Sequence, residues 1–171
     1  MSTETFTKSP FMGVSAPERL TQEHDLSAFD CDKSSLNGFL KERALENTAT
    51  KATITYVVCR PGTKQVVGYF SVCPGGVDRN ELPGKYKKNM PSMVPVIILA
   101  RLAIDNSIKG NGVGQDLLQA ALLMAIESSY HMGAVGMMVN AADDAIDFYL
   151  KHDFDAFPKD PSKLITSLKL E

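Results

Sequence analysis

Val96-Ile97-Ile98-Leu99-Ala100-Arg101-Leu102-Ala103-Ile104, followed by Asp105 and then by Lys109-Gly110-Asn111-Gly112-Val113-Gly114, is the stretch on which the fold turns. Its first part is an apolar run broken by Arg101 alone, and such a run reads as a strand covered on both faces. Downstream, Leu117, Leu118, Ala121, Leu122, Ala125 and Ile126 recur at helical spacing. A buried strand therefore leads through a glycine-rich turn into a helix. Glycines at such a turn let backbone N–H groups approach a ligand closely, and a helix N-terminus favours negative charge. Phosphate binding is one reading of the turn, and a plain strand-to-helix connection is the other. A P-loop is excluded, because Gln115-Asp116 stands where Lys-Ser/Thr is required. A dinucleotide fingerprint fits poorly: the third glycine comes one residue early, and the next strand closes on Asn140 rather than on an acid.

Working outward, residues 53–60 and 65–73 are rich in Val, Ile, Tyr and Phe and flank Pro61-Gly62, which predicts an antiparallel hairpin. Before it, Asp32 or Ser34 is placed to cap a helix whose apolar positions are Leu36, Phe39, Leu40 and Ala44. Residues 1–16 have little periodicity and contain Pro10 and Gly13, so they are expected to be a mobile lead-in to a domain spanning residues 17–171. Residues 74–95 hold four prolines and three glycines, the signature of a long loop or a broken helix. After the glycine turn and its helix come a strand over residues 134–140, a short helix over 144–151 capped by Asp143, and a final strand marked by Leu164, Thr166, Leu168 and Leu170. This order predicts an α/β chain with both antiparallel and parallel pairings.

A length of 171 residues suits one domain, which buries roughly 70% of its unfolded surface. Apolar residues at 44% and charged residues at 22% exclude a disordered or collagenous chain. No apolar run approaches the roughly 18 residues needed to span a bilayer, and residues 1–12 are too polar for a secretory leader, so a cytoplasmic protein without membrane contact is expected. Cys31, Cys59 and Cys73 are odd in number and widely spaced, which reads as buried thiols; no metal is expected. His24, His131 and His152 read as surface histidines, and no general base stands out. Residues 79–109 hold Arg79, Lys85, Lys87, Lys88, Arg101 and Lys109 against Glu81 and Asp105, an excess of four positive charges in a chain whose total is −2. That asymmetry suits an anionic partner and equally suits an ordinary solvated loop.

Lys109-x-x-Gly112-x-Gly114 after Arg101-Leu102-Ala103-Ile104-Asp105, followed by Asp147-Phe148-Tyr149-Leu150-Lys151-His152-Asp153-Phe154, resembles a GNAT-fold N-acetyltransferase. The resemblance runs from about Leu26 to the C-terminus. It sharpens to the GNAT toxins of bacterial type II toxin-antitoxin pairs on Phe29-Asp30-Cys31, Leu36-Asn37-Gly38-Phe39-Leu40, Lys87-Lys88-Asn89-Met90-Pro91 and residues 95–103. It implies a single α+β domain with a mixed, mostly antiparallel sheet flanked by helices and an acetyl-CoA loop between a central strand and the following helix. By the same resemblance Lys109, Gly110, Asn111, Gly112, Val113 and Gly114 cradle the pyrophosphate of acetyl-CoA. The backbone of Leu102, Ala103 and Ile104 pairs with the pantetheine arm, and Tyr149 gives a proton to the departing thiolate. Asn140 is either a coenzyme contact or a strand-end turn residue. The pattern departs at Lys109, where Gln or Arg is usual, and at Asp153, where glycine is usual.

What the resemblance implies about function is transfer of acetyl to the α-amino group of aminoacyl-tRNA, blocking translation. Lys85, Lys87 and Lys88 are then the expected nucleic-acid contacts, because phosphate binding calls for clustered basic side chains. The implied partners are a cognate ribbon-helix-helix antitoxin, operator DNA through that antitoxin only, and a second copy of the chain in a homodimer. Two other classes of function fit the same residues: acetylation of a small amine or a protein N-terminus, and a mainly non-catalytic role in an antitoxin–DNA repressor complex.

Overall fold

The structure, a computed structural model, describes residues 13–169. Its elements in chain order are β1 Glu18–Arg19, α1 Ser34–Glu42, α2 Ala44–Thr50, β2 Ile54–Cys59, β3 Val66–Asp78, β4 Met93–Ile104, α3 Val113–Met132, β5 Gly136–Asn140, α4 Ile146–Lys151, β6 Asp155–Phe157 and β7 Asp160–Ser167. Single 3-10 turns lie at Arg79–Glu81, Gly84–Tyr86, Asn106–Ile108 and Asp143–Ala145. The seven strands form one sheet in the order β1-β2-β3-β4-β5-β7-β6. β4 and β5 run parallel, while β1–β2, β2–β3, β5–β7 and β6–β7 are antiparallel. The expected mixed, mostly antiparallel sheet with helices is thus what forms. No helix among the described residues is long and apolar enough to cross a membrane. The described residues cluster into two compact units, one of residues up to 72 with 101–121, the other of residues 73–100 with those from 122 onward.

In the first unit the predicted hairpin pairs Ile54 with Val72 through Val58 with Gly68, and Gly62 at its turn takes φ +72°. Gly68 is required by packing: a Cβ there would sit 2.9 Å from Val58 Cγ2 and 3.1 Å from Leu117 Cδ1. The core on the α1 side joins Leu20, Phe29, Phe39, Leu40, Val57, Tyr69 and Ala103. Tyr69 donates its hydroxyl to Leu36 O at 2.8 Å, tying β3 to the first turn of α1. The expected caps do not form: the position before α1 is Lys33, with no side-chain cap bond. Asp32 instead takes φ +67°, not the extended backbone typical of an N-cap, and its carboxylate accepts from Asn106 Nδ2 at 2.9 Å. Of the expected lead-in, residues 1–12 lie outside the described residues; Ser15 exchanges two 2.8 Å bonds with the backbone of Cys59, N–H to O and N–H to Oγ.

The second unit corrects the loop expected over residues 74–95. β3 continues through Pro74-Gly75-Gly76 to Asp78, and β4 already begins at Met93. The glycines serve cross-strand packing rather than a turn: a Cβ on Gly75 would lie 2.3 Å from Ile98 Cδ1, and one on Gly76 would lie 2.9 Å from Met93 Sδ. Gly136 is likewise overlain by Ile165, with a Cβ at 2.8 Å. Asp143 does not cap a helix; it lies inside a 3-10 turn preceded by Ala142, which makes no side-chain cap bond. The last strand ends at Ser167, Leu168 is buried beyond it, and Leu170 lies outside the described residues.

Candidate active site

The first unit carries the glycine turn and its supports. β4 ends at Ile104, where Ala103 is buried and Leu102 and Ile104 are half-buried. Asp105 follows; its N–H donates to Val67 O at 2.8 Å, and its carboxylate accepts from Asp30 N–H at 2.8 Å and from the backbone and hydroxyl of Ser107 at 3.0 and 2.5 Å. Burial pushes that carboxyl upward, but these hydrogen bonds outweigh it and hold the group below its ordinary value. Asp105 therefore stays ionised and fixes the entry to the loop. Sequence reasoning missed it, although an Asp two residues before a Ser is a known local turn pattern.

Gly110 and Gly112 take φ +85° and +78°, the left-handed region that favours glycine. Among the described residues, none beyond the chain neighbours has an atom within 4 Å of where either Cβ would stand. The space against the loop backbone is open, as a diphosphate cradle requires. The first helical bond of α3 runs from Asp116 N–H to Gly112 O at 3.2 Å, so the N–H groups of Val113, Gly114 and Gln115 precede the helix's own hydrogen-bond ladder. Asn111 donates from Nδ2 to Ile108 O at 3.2 Å, and Lys109 donates from Nζ to Cys31 O at 3.0 Å. Lys109 thus anchors the loop to the segment before α1.

The second unit carries Tyr149, Asn140 and the lysines. Tyr149 is buried on α4, with its ring edge-on to Phe148 and Phe154 at 5.1 and 5.3 Å. Its hydroxyl has no hydrogen-bond partner among the described residues. Burial pushes the phenol up to about 12. A core tyrosine with a satisfied hydroxyl is not what the described residues provide. Asp153 ends the helix at φ +68°: Phe154 N–H reaches Tyr149 O at 3.1 Å and Asp153 N–H reaches Leu150 O at 3.3 Å. These are the two bonds of a Schellman cap, formed here around an aspartate in the place of glycine. Asn140 is exposed at the end of β5, opposite Lys163. Lys85 is committed, paired with Asp155 Oδ2 at 2.8 Å beside the Tyr86 hydroxyl, which donates to the same oxygen at 2.8 Å. Lys87 is half-buried and Lys88 exposed, and neither has a partner among the described residues.

The histidines differ from expectation in one case. His131 is exposed on α3, and His152 donates Nδ1–H to Phe148 O at 2.7 Å, but His24 is buried. Its Nδ1 accepts from Thr21 N–H at 2.9 Å, so Nε2 carries the proton and donates it to Glu18 Oε1, which Lys64 also holds at 3.1 Å. Glu18, His24 and Cys59 bring ligand-type atoms within 4.8 Å of one another. Both ring nitrogens and the shared carboxylate oxygen are already hydrogen-bonded, so the group reads as the anchor of β1. Cys31 and Cys59 are buried as expected, and Cys73 is half-buried.

Residues 52–156 match the acetyltransferase (GNAT) domain family. Over 158 residues, 92% of this chain and 94% of the relative, the sequence is 36% identical to a tRNA-acetylating toxin of Mycobacterium tuberculosis (strain ATCC 25618 / H37Rv). The fold is similar to that of AtaT complexed with acetyl-methionyl-tRNAfMet, with a TM-score of 0.84, 30% identity, and coverage of 90% of this chain and 94% of that one. It is similar as well to a tyrosine-to-phenylalanine mutant of the toxin AtaT bound to the C-terminus of the antitoxin AtaR and acetyl-CoA, with a TM-score of 0.77, 27% identity, and coverage of 92% and 94%. An open left-handed glycine loop between a buried strand and a helix, a family match over residues 52–156 and 36% identity across 92% of the chain converge: the chain belongs to the GNAT acetyltransferase family.

Proposed function

We propose that this acetyltransferase moves an acetyl group from acetyl-CoA to the α-amino group of aminoacyl-tRNA and so acts as a translation-blocking toxin. The observation that carries the reading is the 36% identity, across 92% of the chain, to a tRNA-acetylating toxin. The open cradle at Gly110 and Gly112 supports acetyl-CoA as cosubstrate, with the N–H groups of residues 113–115 facing the pyrophosphate and Leu102, Ala103 and Ile104 pairing with the pantetheine arm. Coenzyme thioester supplies the activated acyl group; the chain binds it, orients it and supplies a proton.

The α-amino group has an ordinary pKa of about 8, and the adjacent ester lowers it, so a neutral fraction of about a tenth or more exists at pH 7 without a strong base. That amine attacks the thioester carbonyl; the C–N bond forms and the C–S bond breaks. Tyr149 gives its O–H proton to the departing sulfur, and the proton lost from the new ammonium restores the phenol through solvent. Burial keeps Tyr149 protonated across the physiological range. No step uses a metal. Lys87 and Lys88, without partners among the described residues, serve as RNA phosphate contacts, while Lys85 fixes the turn at Gly84–Tyr86 through Asp155. Asn140 is a coenzyme contact at the end of β5. The protein acts in the cytoplasm, as a homodimer, with a ribbon-helix-helix antitoxin that alone touches operator DNA. The exposed side chains Met93, Leu123, Tyr130 and Met132 supply apolar surface for such partner chains.

Cell-free translation tests the proposal. Protein added with acetyl-CoA should stop synthesis, and protein added after acetyl-CoA has been depleted should not. Equal inhibition in both reactions would exclude acetyl transfer as the cause and favour a binding role.

A further inference from the structure

Arg101 interrupts an otherwise apolar strand, and a guanidinium at that place needs a reason. Its Cζ lies 3.6 Å from the centroid of the Phe39 ring on α1, so the planar group rests on an aromatic face. Phe39 is itself buried and stacked on Tyr69, whose centroid is 6.3 Å away. The platform under the guanidinium is therefore rigid. Tyr69 donates its hydroxyl to Leu36 O, and no hydrogen bond joins the guanidinium to the Tyr69 oxygen.

The side chain is half-buried, yet no carboxylate and no hydrogen-bond acceptor among the described residues meets it. Arg60 and Arg79 are used differently, Arg60 donating to Ser107 Oγ at 2.7 Å and Arg79 to Met90 O at 2.8 Å, while Arg19 and Arg43 are exposed to water. A partly desolvated guanidinium with its N–H donors unspent is suited to a planar, doubly accepting anion, for which a phosphodiester is the fitting chemistry.

Position along β4 says which phosphate. The pyrophosphate loop follows Ile104, and Leu102, Ala103 and Ile104 accompany the pantetheine arm, so the acyl end lies toward Arg101. At about 3.3 Å per residue, Arg101 stands roughly 10 Å back from Ile104 along the strand, on the side away from the loop. The coenzyme's phosphates are at the other end. We propose that Arg101, held flat on Phe39, binds a backbone phosphate near the 3′ end of the acceptor RNA and so sets the aminoacyl amine at the acyl carbon. This inference rests on the aminoacyl-tRNA reading above and adds to it a specific anchor.

The test measures dissociation constants of the full-length protein for charged tRNA, as a function of salt, and for acetyl-CoA. Arg101→Gln should weaken tRNA binding about 10- to 100-fold and lower the salt slope by roughly 0.7, one phosphate contact to a single strand, with acetyl-CoA binding unchanged. Arg101→Lys keeps the charge and loses the fork, so it should keep the slope and lose part of the affinity. Because Arg101→Gln removes the cover of Phe39 and can disturb folding, Arg101→Lys with an unshifted melting temperature is the deciding variant if the glutamine protein does not fold. Unchanged tRNA affinity in folded variants, or acetyl-CoA affinity falling in parallel, would overturn the assignment and leave Arg101 as a lid on Phe39 or a coenzyme contact. Should the wild-type protein neither bind nor acetylate charged tRNA, the functional reading itself fails and takes this anchor with it.

Discussion

At the scale of single residues, the central group is the Tyr149 hydroxyl, which makes no hydrogen bond among the described residues. Tyr149→Phe deletes that hydroxyl and keeps the ring between Phe148 and Phe154, so the fold and acetyl-CoA affinity should be retained. General acid catalysis is typically worth about 10²–10⁴ in rate, and single-turnover transfer should fall by that factor. A drop below about threefold with chemistry rate-limiting would make Tyr149 a packing residue. Asp153 carries a second residue-scale prediction. It holds φ +68° in the cap that ends α4, a conformation an L side chain adopts at a cost of about 1 kcal/mol relative to glycine. Asp153→Gly should therefore raise the melting temperature by roughly 2–4 °C. An unchanged or lower value, read by thermal unfolding, would mean that the aspartate side chain compensates for its backbone. The aspartate also answers its departure from the family pattern, because both Schellman bonds form around it.

At the scale of elements, the loop between β4 and α3 is held from outside rather than by its own glycines. Asp105 and Lys109 tie it to Asp30 and Cys31, Asn111 bonds Ile108 within the loop, and this leaves Gly110 and Gly112 to present bare backbone. Gly112→Ala should weaken acetyl-CoA binding about tenfold, since a Cβ would enter the open space against the loop. Gly62→Ala is the control: φ is +72° there and the space is equally open, so backbone strain is matched while the substitution sits in the hairpin turn. Equal coenzyme affinity in both variants would remove the loop from the site. The loop, the hairpin and the buried strand were legible because periodicity and turn chemistry are local. The extension of β3 through Pro74-Gly75-Gly76 was not, because those glycines answer Ile98 and Met93 on another strand. Two-residue β1 and three-residue β6 are too short to show alternation, and the burial of His24 depends on Glu18 and Thr21, with which no motif links it.

At the scale of the whole molecule, the charge asymmetry of residues 79–109 is less than its residue types suggest. Lys85 pairs with Asp155, and Arg79 and Lys109 donate to backbone carbonyls, which leaves Lys87, Lys88 and Arg101 as the cations of that stretch with no hydrogen-bond or ionic partner among the described residues. A tRNA is an extended polyanion, and a few unpaired cations with an apolar surface for partner chains suit it better than a small amine does. The rival enzyme readings differ in what would carry the acetyl group. The deciding measurement incubates the protein with acetyl-CoA labelled in the acetyl group and a pool of charged tRNA, then follows the label before and after RNase treatment and after mild alkaline hydrolysis of the ester. The account predicts label on RNA, released by ester hydrolysis as N-acetylated amino acid, and its loss when the tRNA is uncharged. Label that stays off RNA and appears on a protein N-terminus or a free amine, undiminished by RNase, would contradict it.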